Sequence, residues 1–406
     1  MLQVEEARAL ILQHAPALRT GPVALEQALG LLLARDLEAP ESLPPFARSG
    51  MDGYAVRSED TRGATRESSV SLQLQGTIPA GHPMLEPLQP GNCAAIMTGG
   101  ALPEGADAVI RQEEVRVAEG VARLFRPVPV GENVAPIVED VAKGNRLLQA
   151  GQKIRPAEIG LLASVGIREV EVYLPPRVGI LCTGDELALP GMPLGPAQIH
   201  NSNGPGLSAM VRAAGAVPVY LGQVPDVTSR IAEALRGAGD CELILTSGGV
   251  SVGEFDVVRA AHAALGAREL FWKAALKPGT PVCAAIQQGK LMIGLSGNPS
   301  AGMLNFDLLV RPLLDKLCGR TRLGLRESEG ILDQPVHRVH PLGRYLRARL
   351  YTAADGQVHI DTDMAQRAGV LSSMSQANGY AIIPGHSGPW PAGARVRVLL
   401  QDDAEL

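Results

Sequence analysis

Arg177–Leu187 reads RVGILCTGDEL, Leu243–Asp256 reads LILTSGGVSVGEFD and Leu291–Gly302 reads LMIGLSGNPSAG. Each stretch opens on a short apolar run, continues into a glycine-bearing loop and leads towards helix-compatible sequence. Continuous apolar runs of this length suit parallel strands covered on both faces. Glycines let the loops turn sharply and bring N–H groups close to a ligand, and a helix N-terminus adds positive potential. The loops also carry carboxylates (Asp185, Glu186, Glu254, Asp256) at the mouth of the expected sheet. Phosphate-binding loops beside hard oxygen ligands predict an anionic, phosphorylated substrate handled with Mg²⁺.

Outward from these loops, strand-like and helix-like runs alternate from 177 to about 325, which predicts βαβ units and a mainly parallel sheet. Downstream, YLRARLYT, QVHIDTD, YAIIPG and ARVRVLL return to a β pattern, with Asp355-Gly356 as a hairpin turn. Upstream, VEEARALILQHA and VALEQALGLLLARDL carry apolar residues at helical spacing and predict two helices. From Met51 to about Val134 short β-like runs and turns predict an all-β unit, and PAEIGLLASVG reads as a proline-started helix. The expected organisation is multidomain α/β plus β. A mixed linking domain spans 1–41 and 136–175, with a β domain inserted at 42–135. An α/β domain follows at 176–326 and a barrel-like β domain at 327–406.

Composition restricts the functions open to such a chain. Its 406 residues suffice for two to four domains, each with its own core. A formal charge of −5 leaves no basic footprint, which argues against nucleic acid as a partner. No apolar run approaches the roughly 20 residues a membrane helix needs. Glu5 and Glu6 precede the apolar part of MLQVEEARALILQHAP, so this segment reads as an amphipathic helix and not a signal peptide. Five scattered cysteines without a CxxC pair predict buried thiols in a reducing, cytoplasmic setting.

Two further motifs narrow the reading: SGMDGYAVR at Ser49–Arg57 and IMTGGALPEGADAVIRQE at Ile96–Glu113. Together with TGDEL, TSGGVSVGEFD, FWKAALKPG at Phe271–Gly279 and GNP at Gly297–Pro299, they resemble the molybdopterin molybdenumtransferase family, often called MoeA. The match covers nearly the whole chain in the same order. TSGGVSVGE alone is shared with other molybdopterin-binding domains, whereas MDGYAVR and IMTGG…LPEGADAV single out the transferase type. The resemblance implies insertion of molybdate into adenylylated molybdopterin with release of AMP, a Mg²⁺ requirement, and a homodimer whose active cleft is shared by two subunits. It also implies contact with other molybdenum cofactor synthesis proteins. Two alternatives lack this chemistry: a non-catalytic molybdopterin-binding carrier, and a scaffold whose molybdopterin-type fold binds partner peptides.

Carried over by motif, the catalytic set is Asp52, Thr98 and Asp140 from the N-terminal half and Glu186, Asp226, Asp256, Lys273 and Lys277 from the α/β domain. The C-terminal domain adds Arg344, preferred to Arg349, and Ser372 or Ser373. Glu186, Asp256 and Asp52 are the expected metal-side carboxylates. The loops expected to hold the pterin nucleotide comprise Thr183, Gly184 and Asp185, then Ser202, then Ser247, Gly248, Gly249, Ser251 and Gly253. Pro278 and Gly279, and Gly297, Asn298 and Pro299, complete them. Carboxylates would hold Mg²⁺ against phosphate, and lysines and arginine would neutralise oxyanions. Two departures touch the expected molybdate pocket. KPGTP replaces the usual KPGKP at Thr280, and SGNPSA replaces PGNPVS, with Ser296 for proline, Ala301 for serine and Ser300 one place early.

Several of these residues also have structural readings. Asp52 could form a turn with Gly53, Thr98 could bond its own turn, and Asp185-Glu186 could open a helix. Asn201-Ser202-Asn203 reads first as a helix cap, Lys273 as a snorkelling strand residue, and Cys182 as packing. His337 and His340 fall on opposite faces of an alternating pattern, which argues against a metal site.

Overall fold

The computed structural model describes residues 1–250 and 256–401. Contact density divides the chain into two compact units, Pro22–Val170 and the combination of Met1–Gly21 with Glu171–Leu406.

In the unit Pro22–Val170 a six-stranded sheet runs in the order Ala108–Arg111, Gly53–Val56, Asn92–Ile96, Val70–Ile78, Val121–Leu124, Val115–Ala118. Val70–Ile78 and Asn92–Ile96 pair in parallel, and the other pairs are antiparallel. Successive side chains of a strand point to opposite faces, and here both faces are covered. Val56, Cys93 and Ile110 join Leu72 and Leu124 in one core, while Ala55, Ala94 and Val109 join Ile78 and Ile96 in another. The helix Pro156–Ser164 starts on its proline as expected.

One expected helix does not form. VALEQALGLLLARDL contains a single 3-10 turn, Leu25–Gln27, and then extended backbone. That backbone pairs with residues 152–154: Gly30 N–H donates to Ile154 O, Leu33 N–H to Gln152 O, and Ile154 N–H to Leu31 O. Gly30 at φ 83° interrupts any helix. The facing segment satisfies the freed backbone groups while Leu25, Ala28 and Leu33 stay buried.

The second unit is built on a sheet ordered Val217–Val224, Arg177–Thr183, Leu243–Ser247, Lys290–Leu295, Cys283–Gln287, Arg268–Trp272. The first four strands are parallel and the last two join antiparallel. The helices Val4–Gln13, Asn203–Ala213 and the helical run 299–317 bury Ile11, Val211, Leu304 and Leu309 against Val178, Ile180 and Ile293. The helices Thr228–Arg236 and Val257–Ala264 cover the other face through Ile231, Leu235 and Val258.

The same unit contains the C-terminal barrel. Its strands are Arg326–Leu332, Gly343–Thr352, Val358–Asp361, Gly379–Ile383 and Arg395–Leu400, and Gly343–Thr352 closes the ring by pairing with both Val358–Asp361 and Gly379–Ile383. Leu346, Ala348, Leu350, Ile360, Ala381 and Val398 fill it. The short strand Leu276–Lys277 adds to its edge in parallel, with Lys277 in register with Arg344.

Candidate functional site

At the carboxyl ends of the parallel strands a cavity of about 480 Å³ opens, where open α/β sheets collect ligands. Thr183, Ser247 and Ser296 line it from the strand ends, and Gly248, Gly249, Gly297, Asn298 and Pro299 from the loops. Only glycine fits at 248, where φ is 99° and a Cβ would lie 2.3 Å from Thr183 O. Thr183 Oγ1 is buried and makes no hydrogen bond among the described residues. Ser251 and Gly253 lie outside the described residues.

Asn203 ties the loops together. Its Nδ2 donates to Ser247 Oγ at 2.7 Å and to Gly297 O at 2.8 Å. The cap of the helix Asn203–Ala213 comes from Asn201, whose Oδ1 accepts from Gly204 N–H at 2.9 Å. Ser202 makes no side-chain cap and lines the cavity. The sequence marks Asn201 and Asn203 first as caps, with ligand contact implied by the resemblance; the bonds of Asn203 to Ser247 and Gly297 were not legible, because those partners come from distant loops. Cys182 also borders the cavity, buried in its strand, and burial pushes its thiol pKa up, consistent with a packing role.

The carboxylates divide into two groups. Glu186 and Asp226 both line the cavity. Glu186 lies over Gly184, where a Cβ would be 2.5 Å from Glu186 Oε2. Asp185 Oδ1 accepts the Asp226 N–H at 3.4 Å. TGDEL does not open a helix: Glu186 O accepts from Ile199 N–H, and Leu187–Ala188 pairs with Ile199–His200 before the helix at Asn203 begins. Asp256 instead caps the helix Val257–Ala264, accepting from Arg259 N–H at 3.4 Å and facing the Arg259 guanidinium at 3.5 Å. Burial pushes its carboxyl pKa up. Among the described residues no three His, Cys, Asp or Glu side chains converge into a metal-ligand group.

A second cavity, of about 380 Å³, is strongly basic. Lys277, Arg338, His340, Arg344 and Arg367 line it with Pro278. Strand pairing sets Lys277 beside Arg344. Burial and the neighbouring Arg338 lower the Arg344 pKa. Arg349, an odd number of residues along the same strand, is exposed. Consecutive residues Ala368 and Gly369 line the second and first cavities respectively. The carbonyl of Gly279 accepts from Asn305 Nδ2 at 2.9 Å, and Asn305 Oδ1 accepts the Ser296 N–H at 3.4 Å, so the KPGT turn is linked to the first cavity.

Other expected residues fall elsewhere. Lys273, at φ 70°, stacks its Nζ 3.8 Å from the Trp272 ring centroid, and Arg259 stacks on the same ring at 4.2 Å. Ser373 is buried and donates to Val370 O, while Ser372 borders an apolar hollow with Met210, Met303 and Leu371. His337 and His340 are not in a strand, so the argument from opposite faces fails for them. His340 Nδ1 hydrogen-bonds within its own loop, at Leu342, and the ring faces the basic cavity. Arg338 and Arg367 had no motif to mark them.

In the unit Pro22–Val170 the structure joins two expected residues. Asp52 Oδ1 accepts both Thr98 N–H and Thr98 Oγ1–H, each at 2.7 Å, and these bonds hold the Asp52 carboxyl below its usual pKa. Thr98 therefore does more than close its own turn. Asp140 lies on a turn, its N–H donating to Leu43 O, and makes no hydrogen bond to Asp52 or Thr98.

Comparison with known proteins agrees along the whole chain. Residues 2–166 match the family model of the MoeA N-terminal region (domain I and II). Residues 179–316 match that of a probable molybdopterin binding domain, and residues 329–401 that of the MoeA C-terminal region (domain IV). A molybdopterin molybdenumtransferase of Bacillus subtilis (strain 168) is 36% identical over 384 residues, covering 93% of this chain and 89% of the relative. One from Staphylococcus aureus (strain N315) is 32% identical over 402 residues, covering 99% and 96%. Among solved structures, the molybdopterin biosynthesis MoeA protein of Pyrococcus horikosii superposes with a TM-score of 0.84 at 29% identity, covering 98% of this chain and 99% of that one.

Proposed function

The chain belongs to the MoeA family, and from that premise we propose that it is a molybdopterin molybdenumtransferase of molybdenum cofactor biosynthesis. In this reading molybdate is inserted into adenylylated molybdopterin and AMP is released. The observation that carries the reading is the pair of neighbouring cavities: a glycine-lined cavity bearing Glu186 and Asp226, and a basic one bearing Lys277 and Arg344.

The division of labour follows from their chemistry. Backbone N–H groups of the glycine loops and the unpartnered Thr183 Oγ1 suit the phosphates of the pterin nucleotide. Lys277 supplies a point charge and Arg344 a planar fork, and together they suit a tetrahedral dianion such as molybdate. Releasing AMP breaks a P–O bond of the phosphoanhydride that joins it to the pterin phosphate, as an oxygen of molybdate or water forms the new P–O bond, and puts negative charge on the departing phosphate. Preorganised cations and N–H donors stabilise that charge without reorganising.

Mg²⁺ binds through one or two carboxylates plus substrate phosphates and water. Glu186 and Asp226 fit that demand: they share the cavity, and neither carboxylate is paired with a cation among the described residues. Bound there, Mg²⁺ would neutralise charge on the phosphates. Asp256, committed to Arg259, and Asp52, held by Thr98, keep their metal-side assignment from their motifs alone. Asp140, Lys273 and Ser372 likewise keep catalytic roles by motif. We also assign the chain to the cytoplasm; no helix among the described residues is long and apolar enough to cross a membrane.

The test is AMP release from adenylylated molybdopterin in the presence of molybdate and Mg²⁺. The wild-type chain should turn over, and Glu186→Ala and Asp52→Ala should each lose most of the activity with little change in thermal stability. Binding of the pterin nucleotide without AMP release by the wild type would favour a carrier. Normal turnover in both variants would remove these carboxylates from the chemistry.

A further inference from the structure

Two cations share one aromatic ring at the end of the strand Arg268–Trp272. The Lys273 Nζ lies 3.8 Å from the Trp272 ring centroid, and the Arg259 guanidinium carbon lies 4.2 Å from it. Arg259 is also bound to carboxylates: Nε donates to Glu269 Oε2 at 2.7 Å, and Nη1 lies 3.5 Å from Asp256 Oδ2. Lys273 has no carboxylate within ion-pair distance among the described residues. Its backbone stands in the left-handed region, at φ 70°, which residues other than glycine rarely adopt. Two backbone hydrogen bonds hold it there. Lys273 N–H donates to Val282 O at 2.8 Å, and Lys273 O accepts from Leu2 N–H at 3.3 Å.

The ring stands beside the glycine-lined cavity without lining it. Trp272 packs against the core cluster that holds Val250, Val258 and Cys283, and Val250 lines that cavity. Val282, the backbone partner of Lys273, follows Pro281, which lines it too. Asp256 and Lys273, both expected catalytic residues, sit on separate elements, and the path through Arg259 and Trp272 joins them. Packing alone does not account for a tryptophan here. Its Nε1–H is buried and finds no acceptor among the described residues, and an orphaned donor of that kind is destabilising. A leucine would fill the place without it. The indole instead presents the strongest cation-holding face among side chains. A carboxylate partner would neutralise Lys273 and compete for its N–H donors, whereas a ring leaves the charge uncancelled and all three donors open to an oxyanion.

We propose that Trp272 is a positioning residue: its ring holds the Lys273 ammonium at the margin of the glycine-lined cavity and, through Arg259, ties it to Asp256. The proposal rests on the reading of Asp256 and Lys273 as catalytic. Trp272 does not touch the substrate. It acts through Lys273, whose ammonium moves from the ring to phosphate oxygens as charge develops on the departing AMP.

Two measurements test this. The first is the NMR signal of Lys273 after isotope-labelled dimethylation of the lysines, which keeps their charge; its loss in Lys273→Arg assigns it. Held over the ring, the Lys273 methyl groups should resonate upfield of those of the other lysines in the wild-type chain. A signal at the ordinary position would overturn the proposal without recourse to any Trp272 variant. The second measurement is AMP release by Trp272→Leu and Trp272→Phe. Trp272→Leu should lower kcat by about ten-fold or more, because displacement of a reacting group by a fraction of an ångström has effects of that order. KM for the pterin nucleotide should change far less. Trp272→Phe keeps a ring face and should restore most of kcat. A packing role alone would lower the melting temperature of Trp272→Leu and leave kcat of the folded protein unchanged, and that result would overturn the proposal. If Trp272→Leu does not fold, Arg259→Leu decides. It cuts the tie to Asp256 and should lower kcat while the Lys273 signal stays upfield; a normal kcat there would overturn the proposal. Lys273→Ala separates the two readings. Full turnover by that variant would end the catalytic reading of Lys273 beneath the proposal, whereas lost turnover there with a normal kcat in Trp272→Leu would overturn the proposal alone.

Discussion

Thr280 and Ala301, the two departures from the family pattern, end in different places. The Thr280 hydroxyl donates to Leu276 O at 2.5 Å, so it bridges the turn and leaves Lys277 as the cation of KPGTP. Ala301 is 1% exposed and lines neither cavity, so a hydroxyl added by Ala301→Ser would be enclosed in packing and should not improve molybdate binding as its motif position suggested. Ser300 offers no spare donor either, since its hydroxyl serves Ala368 O. Thr280 lines neither cavity itself, but a lysine there extends well beyond the threonine hydroxyl from a turn whose Lys277 and Pro278 line the basic cavity, so Thr280→Lys should lower the half-saturating molybdate concentration by about ten-fold. One charge-assisted hydrogen bond contributes roughly 1.5–3 kcal/mol where both partners are desolvated, and part of that is offset by repulsion from the other basic groups. A molybdate titration of AMP release checks this, and an unchanged midpoint with intact nucleotide binding would show that position 280 does not face the oxyanion. At this scale Lys277 and Arg344 were legible because each stands in a motif. Arg338 and Arg367 were not, because nothing in their neighbours distinguishes a loop arginine facing solvent from one facing a cavity.

The β elements of the unit Pro22–Val170 offer a paired experiment on glycine. Gly53, next to Asp52, pairs with Arg111 across the sheet, and a Cβ there would lie 2.1 Å from Ile110 O. Gly160, inside the helix Pro156–Ser164, has nothing within 4 Å of its would-be Cβ. Gly53→Ala should destabilise the chain by on the order of 1–3 kcal/mol through overpacking. Gly160→Ala should stabilise it by about 0.5–1 kcal/mol, because alanine loses less backbone entropy in a helix. Denaturant midpoints with unchanged slopes would confirm opposite signs, and equal shifts would contradict the packing at Gly53. Elements themselves were read unevenly. Val4–Gln13 and Pro156–Ser164 formed as their periodicity and proline predicted. VALEQALGLLLARDL shows the same spacing but forms no α-helix, because pairing with residues 152–154 satisfies its backbone while burying Leu25 and Leu33 and leaving Leu29 exposed.

For the whole molecule, the homodimer implied by family resemblance predicts a mass in light scattering of twice the 42.6 kDa chain. A monomer at concentrations where AMP release is full would exclude a requirement for dimerisation. The amino-acid sequence by itself determined the α/β core with its parallel strands, the presence of β structure on either side of it, and the glycine loops with Glu186 in their midst. These are local features: an apolar run, a turn residue and a short motif carry their meaning within a few positions. Tertiary structure alone decided that Asp226 joins Glu186 while Asp256 turns to Arg259, that Asp52 holds Thr98, and that Lys277 lies beside Arg344. Each of those meetings depends on strand register and side-chain packing between segments far apart in the chain. A shift of one residue in a strand sends its side chains to the opposite face, so which charges share a cavity is set only when the whole sheet and barrel are assembled.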